Sequence, residues 1–389
     1  MTSDVAFRLP GRRSAASRFA LVFVLAFVAT CPAAADDAAN ARLLSELVQK
    51  ANQDGQLVAT VQSSWGRAIL PRLTDAFKKR FGLSIDVSVS PIASARQFPI
   101  EIAATRAGGP PTYDVMQGDD AETIQLTGAG GVQPVANWRE LLAAVNSDVA
   151  LGKIKVAQIS HGPFEGASFH FMANIKQILY NPRLITPADL PKVHADLGDP
   201  KYKGKFTQPP WTSHWEVAPQ VFDKQQRDKW LDVVRAAGKN GTVLSEVEGA
   251  SRVVLGQYAF VLAQDAYLRQ VLAKDPQAPI AGTFFQDYNE LNGVYYSVRT
   301  RARAPSAATL WALWMTTADA QAIWQPENKS FQPFGSSDID VAERNTVAQS
   351  GAPVIGYLDN DRTIALLRWQ QTPEGTRYLA AIAKAIQGE

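Results

Sequence analysis

The sequence predicts an α/β protein of two similar units, each built around a mainly parallel sheet. Short β-prone apolar runs alternate with stretches of helical apolar spacing, and the alternation begins again after a Gly- and Pro-containing passage at 161–166. The length of 389 residues, of which 46% are hydrophobic, suits two domains rather than one. We therefore expect two units, each with its own core.

The first 35 residues have the pattern of a secretory signal peptide. Basic residues precede an uncharged apolar run at 19–29, and small residues follow at 33–35. The run is far shorter than the ~20 residues that span a bilayer. We predict cleavage after Ala35 and a mature protein in the periplasm. Lipidation at Cys31 and export by the twin-arginine route are the alternatives.

Removal of this leader changes the charge of the chain. Four of the 39 basic and one of the 37 acidic residues lie in it, so the formal charge falls from +2 to −1. A near-neutral surface indicates no nucleic-acid partner and no anionic lipid. The single cysteine, Cys31, leaves with the leader, so the mature chain depends on its core rather than on disulfides.

The first unit alternates strictly between strand and helix. One predicted helix has apolar residues at helical spacing, basic residues in its last turn and Gly82 directly after it, which is a typical helix end. In order, the predicted elements are a strand at 57–61, a helix at 69–81, a strand at 85–89, a helix at 98–106 and a strand at 113–116.

The second unit repeats the pattern less regularly. A long strand-like run is ended by the Asn-Pro pair at 181–182, and Pro305 begins a helix at a favoured first-turn position. The predicted elements are strands at 169–180, 258–263 and 294–298, and helices at 228–237, at 246–255 and from 305 onward.

Local motifs of catalysis and cofactor binding are absent from the sequence. The segment 128–133 has Gln133 where a dinucleotide loop has its final glycine, and 198–205 lacks a Ser or Thr after its last lysine. No zinc-helix motif and no nucleophile elbow occurs. We predict no enzyme activity, no cofactor and no metal site. A secreted α/β hydrolase is the alternative, because the members of a Ser/His/Asp triad need not be neighbours in sequence.

Five segments spread over the mature chain carry a family resemblance. They are 114–121, 179–182, 196–205, 292–294 and 305–311. In this order and spacing they resemble the extracellular solute-binding proteins of ABC importers, in the branch with ferric-iron, polyamine and thiamine binders. The resemblance implies a two-lobed periplasmic-binding-protein fold of type II, with a ligand between lobes that are joined by crossing strands.

The resemblance also implies how the chain divides and what it meets. One lobe would comprise 36–165 with 266–325, and the other 166–265 with 326–389. The protein is expected to be a monomer that closes around a small solute and delivers it to an ABC permease in the inner membrane. A receptor-docking sensor of the same fold, which feeds a signalling protein, is an alternative with a different partner.

Ligands of open α/β sheets lie beyond the carboxyl ends of the strands, near loops and helix N-termini. The loops at those positions therefore supply the candidate ligand contacts. Helix capping by the aspartates and core packing of the indoles are the alternative roles. The candidates are Ser63, Ser64, Trp65, Asp119, Asp120, Trp211, Ser213, His214, Trp215, Asp265, Tyr267 and Tyr288.

The nature of the ligand is predicted from the side chains at these loops. Ferric-binding relatives place a tyrosine pair near the position of Asp265, where this chain reads Gln-Asp-Ala-Tyr. The pair Tyr295 and Tyr296 lies within a strand, where alternation directs the two rings to opposite faces. Carboxylates combined with indoles favour an organic cation, such as a polyamine or a thiamine-like amine. Ferric iron and a small anion are the alternatives.

Overall fold

The computed structural model describes residues 32–389, in which ten strands form a mixed sheet. The strands are β1 (Gln56–Gln62), β2 (Asp86–Ile92), β3 (Val115–Asp119), β4 (Ser168–Tyr180), β5 (Phe206–Gln208), β6 (Thr242–Val243), β7 (Phe260–Gln264), β8 (Ala281–Thr283), β9 (Asn289–Val298) and β10 (Val354–Gly356).

Fifteen α-helices of the described residues surround this sheet. They are α1 (Pro32–Asp54), α2 (Ile69–Phe81), α3 (Ser94–Arg106), α4 (Asp120–Gly128), α5 (Trp138–Val145), α6 (Ser147–Ala150), α7 (Val156–Ile159), α8 (Arg227–Asn240), α9 (Glu246–Val254), α10 (Asp265–Lys274), α11 (Pro305–Trp314), α12 (Ala318–Asn328), α13 (Asp338–Ser350), α14 (Asp361–Gln370) and α15 (Pro373–Ile386). Short 3-10 turns lie at Gly162–Phe164, His194–Gly198, Pro200–Tyr202 and Pro219–Phe222.

Two parallel groups of strands are joined by two long strands in the middle of the sheet. The strand order is β2-β1-β3-β9-β4-β7-β5-β6, with β10 paired to β9 and β8 paired to β4. β1 pairs in parallel with β2 and β3, and β5 pairs in parallel with β6 and β7. β4 and β9 are antiparallel to each other, and β4 continues from β9 to β7. This confirms the predicted α/β class with crossing strands.

The predicted elements recur in the structure with shifted ends. α2 spans the predicted 69–81 and is followed by Gly82 in a left-handed conformation (φ 62°). β9 begins at Asn289 rather than at the predicted 294. The apolar pattern missed its first half because the residues there are mainly polar, although they are buried. Its pairing with β4 and β10, and not an apolar pattern, makes that half a strand.

Each parallel group of strands packs against its own hydrophobic core. In the first core Phe77 of α2 lies edge-on to Trp311 of α11, with ring centroids 5.1 Å apart. In the second core Trp215 packs beside Trp230 at 5.8 Å. The lobe boundaries stay a prediction. Within the predicted lobe 266–325, however, residues such as Leu268 pack with Leu179 of β4 on the side of β7 and α9.

The N-terminal end of the described chain packs onto the first core. Leu43 and Leu47 of α1 contact that core, and the Asp54 carboxylate accepts hydrogen bonds from the backbone N–H groups of Ser306 and Ala307, each at 2.9 Å. The predicted leader, apart from its last residues in the first turn of α1, lies outside the described residues. Among the described helices, none combines the length and the apolar character needed to cross a bilayer.

Asp114 connects β1, β3 and the entry to α11 through its fully buried carboxylate. It accepts hydrogen bonds from the backbone N–H groups of Val58 (2.8 Å), Arg303 (2.8 Å) and Ala304 (3.2 Å). We expect Asp114→Ala to lower the free energy of unfolding by about 3 kcal/mol, because it leaves buried donors without acceptors. Urea denaturation measures this loss. The matched variant of exposed Asp86 should stay within about 0.5 kcal/mol of wild type, and equal effects at both sites would contradict the prediction.

Candidate functional site

The crossing strands bring buried charged side chains together at the middle of the sheet. β4 contributes Lys176 and β9 contributes Glu290, while the loop 211–216 contributes Glu216 and Glu246 begins α9. These four residues are at most 7% exposed. Together with Asp119 and Asp120 they form what we call the acidic cluster: the carboxylates of Asp119, Asp120, Glu216, Glu246 and Glu290 around Lys176.

Lys176 is directly paired with Glu246. Its Nζ donates to Glu246 Oε1 at 3.2 Å, and His214 Nε2 lies 3.3 Å from the same oxygen. Burial lowers the pKa of His214 to about 4, so its imidazole is neutral at neutral pH and donates to the carboxylate. Burial alone would raise the pKa of Glu246, but Lys176 and His214 outweigh it and hold the pKa below its usual value. Lys176 and Glu246 are therefore an ion pair.

Asp120 fastens α4 to the crossing strand β9. Its Oδ2 accepts from the backbone N–H of Gly293 at 2.7 Å, and its Oδ1 accepts from the Tyr295 hydroxyl at 3.0 Å. A Cβ atom at Gly293 would come within 2.7 Å of that hydroxyl, so the contact needs glycine there. Both oxygens of this predicted ligand contact are thus engaged within the protein.

Asp119 combines a capping role with a place in the cluster. Its Oδ1 accepts from the backbone N–H of Glu122 at 2.8 Å. In return, the backbone N–H of Asp119 donates to Glu122 Oε2 at 3.1 Å. This is a capping box at the start of α4. Burial raises the pKa of Asp119, whereas Lys176 and Asn292 act to lower it. The capping alternative accounts for one oxygen of Asp119.

Glu290 is the least satisfied carboxyl of the cluster, and Glu216 is its neighbour. Glu290 Oε2 accepts from the backbone N–H of His214 at 3.2 Å, but its Oε1 is buried without a hydrogen-bond partner. Glu216 accepts from the Thr212 hydroxyl. Burial and then the neighbouring Glu216 raise the pKa of Glu290 well above its usual value, and burial raises that of Glu216. The Tyr357 hydroxyl is buried beside the same two carboxyls.

The acidic cluster has more carboxylates than its one ammonium neutralises. Within the described part of the chain, the charge of Lys176 acts on Asp119, Glu216, Glu246 and Glu290 alike. Only Glu246 is within ion-pair distance of it. A buried carboxylate without a partner is costly, so it either takes up a proton or binds a cation. The cluster is therefore suited to a positively charged group.

The loop 211–216 is strained beside the cluster. His214 has a left-handed backbone (φ 87°), which is unfavourable for a side chain of this kind. The conformation is held from both sides: the Tyr288 hydroxyl donates to the His214 carbonyl, and the His214 N–H donates to Glu290. Ser213 Oγ is buried without a partner, and Trp211 is 40% exposed. The loop thus has one exposed indole and one buried hydroxyl that lacks a hydrogen-bond partner.

Two predicted indole contacts lie in the cores instead. Trp65 is 3% exposed and stacks on Trp324 at 6.4 Å, and Trp215 is fully buried against Trp230. Ser63 and Ser64, by contrast, are exposed after β1. The core-packing alternative therefore describes both buried indoles, since Trp65 belongs to the first core and Trp215 to the second.

The predicted tyrosine contacts have structural neighbours as well. Tyr288 is fully buried and stacks on His194, with ring centroids 4.2 Å apart. Tyr267 is half-buried on α10 and packs with the apolar residues of β7 and α9. Whether either side chain touches a ligand stays a prediction.

Asp265, another predicted ligand contact, has both carboxylate oxygens engaged within the protein. It is the first residue of α10 and is 1% exposed. Its Oδ1 accepts from the backbone N–H of Ile175 at 2.9 Å, and its Oδ2 accepts from Arg269 at 2.6 Å. Arg269 in turn pairs with Glu343. The carboxylate joins α10 to β4 and has its positive partner already.

Sequence reasoning missed the residues that define the cluster. Lys176, Glu216, Glu246, Glu290 and Tyr357 are distant in sequence, and only the pairing of β4 with β9 and β7 assembles them. One signal was available: Lys176 is the one Lys, Arg, Asp or Glu residue of β4, a strand whose residues are all buried. A charge that the strand pattern buries needs partners, which predicts a polar site nearby.

The tyrosine pair of β9 is divided between the two cores, as strand alternation predicts. Tyr295 lies with the second core and donates to Asp120, while Tyr296 lies with the first core and donates to the Thr60 carbonyl at 3.0 Å. Both hydroxyls are thus already hydrogen-bonded within the protein. Within residues 32–389, no group of three or more His, Cys, Asp or Glu side chains is placed to hold a metal ion.

The family model of the bacterial extracellular solute-binding proteins matches residues 72–326. The chain belongs to this family. The description of the family, bacterial extracellular solute-binding protein, agrees with the class expected from the sequence. A comparison with curated protein sequences finds no match.

Solved structures of periplasmic binding proteins share the fold. Iron-bound HitA from Pseudomonas aeruginosa is 17% identical, with a TM-score of 0.67, over 85% of this chain and 99% of that one. The apo ferric ion-binding protein A of Pasteurella haemolytica is 11% identical, with a TM-score of 0.62, over 86% and 99%. The substrate-binding protein of an ABC transporter from Agrobacterium tumefaciens is 16% identical, with a TM-score of 0.57, over 84% and 94%. At such identities the likeness concerns the fold alone.

The Asp265 geometry predicts a defect in stability rather than in binding. We expect Asp265→Ala to lower the free energy of unfolding by about 3 kcal/mol, because it leaves the buried backbone N–H of Ile175 without an acceptor and removes one of the two carboxylates that pair with Arg269. Asp232→Ala, which removes the exposed partner of Arg235, should cost less than about 1 kcal/mol. Chemical denaturation tests both. A fully stable Asp265→Ala protein that had lost its ligand would restore this residue to the site.

The two indoles of the loop 211–216 are expected to behave differently on truncation. Trp211→Ala should leave the melting temperature within a few degrees of wild type, because the side chain is 40% exposed. Trp215→Ala should destabilise the protein by about 3–5 kcal/mol, since it empties a core position. Thermal unfolding of both variants is the measurement. Similar losses in the two variants would show that Trp211 also packs in the core.

Proposed function

We propose that this protein captures a small organic cation, a protonated amine such as a polyamine or a thiamine-like compound, at the acidic cluster. The observation that supports this most is the surplus of buried carboxylates around Lys176, which is already paired with Glu246. A cation that enters the cluster supplies the missing positive charge, and charge-assisted hydrogen bonds are about twice as strong as neutral ones. An anion would instead meet repulsion there.

The free atoms at the cluster favour a cation that carries N–H groups. Glu290 Oε1 accepts hydrogen bonds, and the hydroxyls of Ser213 and Tyr357 can accept them too. A quaternary ammonium offers no such donors and is usually held in an aromatic cage. Trp65 and Trp215 are buried in the cores, so of these three indoles only that of Trp211 is exposed for such contacts. We therefore expect ammonium groups with hydrogens to bind in preference to choline-like ones.

The family and the fold support a transport role for this binding. We propose that the mature chain, after loss of residues 1–35, works as a monomer in the periplasm and hands its solute to an ABC permease. Closure of two α/β units around a ligand shifts the balance between open and closed forms and presents a new surface to the permease. No covalent step on the solute is needed.

Ferric iron is the second candidate, because solved relatives of this fold are described as iron-bound or ferric-binding. In this chain the two tyrosines of β9 lie on opposite faces and are hydrogen-bonded to Asp120 and Thr60. The position near Asp265 is filled by an ion pair with Arg269. These contacts favour the amine over the metal.

Calorimetric titration of the mature protein with a defined panel separates these candidates. The panel is putrescine, spermidine, thiamine, choline, ferric citrate and inorganic phosphate. We expect an amine with N–H groups to bind most tightly and phosphate to show no measurable heat of binding. Tight binding of ferric citrate with no response to any amine would overturn the proposed ligand class.

Glu216→Gln tests the cluster with a change of charge but not of shape. We expect the affinity for the best amine of the panel to fall at least about tenfold, or ~1.4 kcal/mol, because one carboxylate of the cluster becomes a neutral amide. Glu248→Gln is the matched control, since Glu248 is exposed on α9 and pairs with Arg252. Equal affinities in the two variants would remove Glu216 from the site.

A further inference from the structure

We propose that the acidic cluster exchanges a proton for its cation: Glu290 holds a proton in the ligand-free protein and releases it to the solvent when the amine binds. This inference rests on the proposed capture of an amine at the same cluster. It adds a regulation of that site, because capture then depends on the pH outside the cytoplasm.

The hydrogen-bond partners of each carboxylate show where the proton is held. Glu246 is ionised against Lys176 and His214. Asp120 receives donors on both oxygens, although burial and then Asp119 raise its pKa well above its usual value. Glu290 receives one backbone N–H, and its other oxygen is buried without a partner. A carboxylate in that position lacks the donors that stabilise its charge, whereas a carboxylic acid needs fewer. The geometry therefore favours a protonated Glu290.

Charged and titratable groups face Glu290 from every element around it. Three of them are carboxyls, which add to the effect of burial and raise the pKa of Glu290, whereas Lys176 acts to lower it. The groups are Lys176 from β4, Asp119 and Asp120 from the β3–α4 junction, His214 and Glu216 from the loop 211–216, Tyr288 before β9 and Tyr357 after β10.

The exchange conserves charge within the buried site. An ammonium ion brings one positive charge, and the carboxylic acid O–H bond breaks to release one proton to the buffer. The ammonium N–H groups then donate to the carboxylate that has formed. Because the net charge of the site does not change, the amine need not be buried as an uncompensated ion.

The direction of the pH dependence follows from this balance. If binding releases a proton, the association constant rises with pH, by about tenfold per pH unit for one whole proton. The rise occurs between the usual carboxylate range and the raised pKa of the ligand-free site, and above that pKa the affinity levels off. A solute captured in neutral medium is thus held less tightly on acidification.

Calorimetry in paired buffers measures the released proton directly. Spermidine, or the tightest amine of the panel, is titrated into the full mature protein in phosphate and in Tris, which differ in ionisation enthalpy, at several values between about pH 5.5 and pH 8.5. We expect a buffer-dependent heat that corresponds to release of close to one proton, with an affinity that rises with pH. Heats that are equal in the two buffers would overturn the exchange.

Glu290→Gln supplies the matching variant, because its amide cannot lose a proton in this range. We expect weaker binding, a markedly smaller buffer-dependent heat and a flatter pH dependence. If Glu290→Gln folds poorly, Glu216→Gln should give the same pattern, because loss of the neighbouring charge lowers the raised pKa of Glu290. Glu248→Gln should keep the full proton release. An unchanged release in both cluster variants would place the proton elsewhere and overturn the inference.

The outcomes separate this inference from the function on which it rests. Amine binding without proton release would leave the proposed capture intact and contradict only the exchange. If no amine binds at any pH, the proposed ligand class falls and the exchange falls with it.

Discussion

The structure depends on how one buried ammonium is shared among several buried carboxylates. Lys176 lies on the strand that runs through both halves of the sheet, and it is paired with Glu246 at 3.2 Å. Taking an ionised group out of water costs several kcal/mol unless close partners replace the water. Wherever the partners suffice, a carboxylate holds the fold together. Where they do not, it retains a proton or needs a cation from outside.

The buried aspartates illustrate the first case. Asp114 gathers three backbone N–H groups, Asp120 binds Gly293 and Tyr295, and Asp265 binds Ile175 and Arg269. Each of these side chains joins two or more elements, and each is fully supplied with donors. For Asp120 and Asp265 the position after a strand therefore serves the fold, although the same position is where a ligand contact would be sought. A buried acid is a ligand candidate only after its own donors have been counted.

Glu290 illustrates the second case, because one of its oxygens is buried without a hydrogen-bond partner. The relatives share the fold at 11–17% identity, which leaves the ligand site free to differ. Here the tyrosine rings of β9 point into separate cores, and the side chains near the strand crossing are mainly carboxylates. In such proteins the fold positions the binding site, whereas the side chains of the loops determine which solute binds.

The sequence by itself determined the α/β class, helix α2 with its glycine end, and the opposite orientation of Tyr295 and Tyr296. These features depend on local periodicity, which is 3.6 residues in a helix and two in a strand. It also predicted a polar loop at 211–215, in which the structure leaves Trp211 exposed and buries Trp215 in the core. Only the tertiary structure decided that Lys176, Glu246 and Glu290 meet and that Asp265 is already paired. The reason is physical: burial and hydrogen-bond partners arise from strands far apart in the chain, and no local pattern records which distant side chain will satisfy a charge.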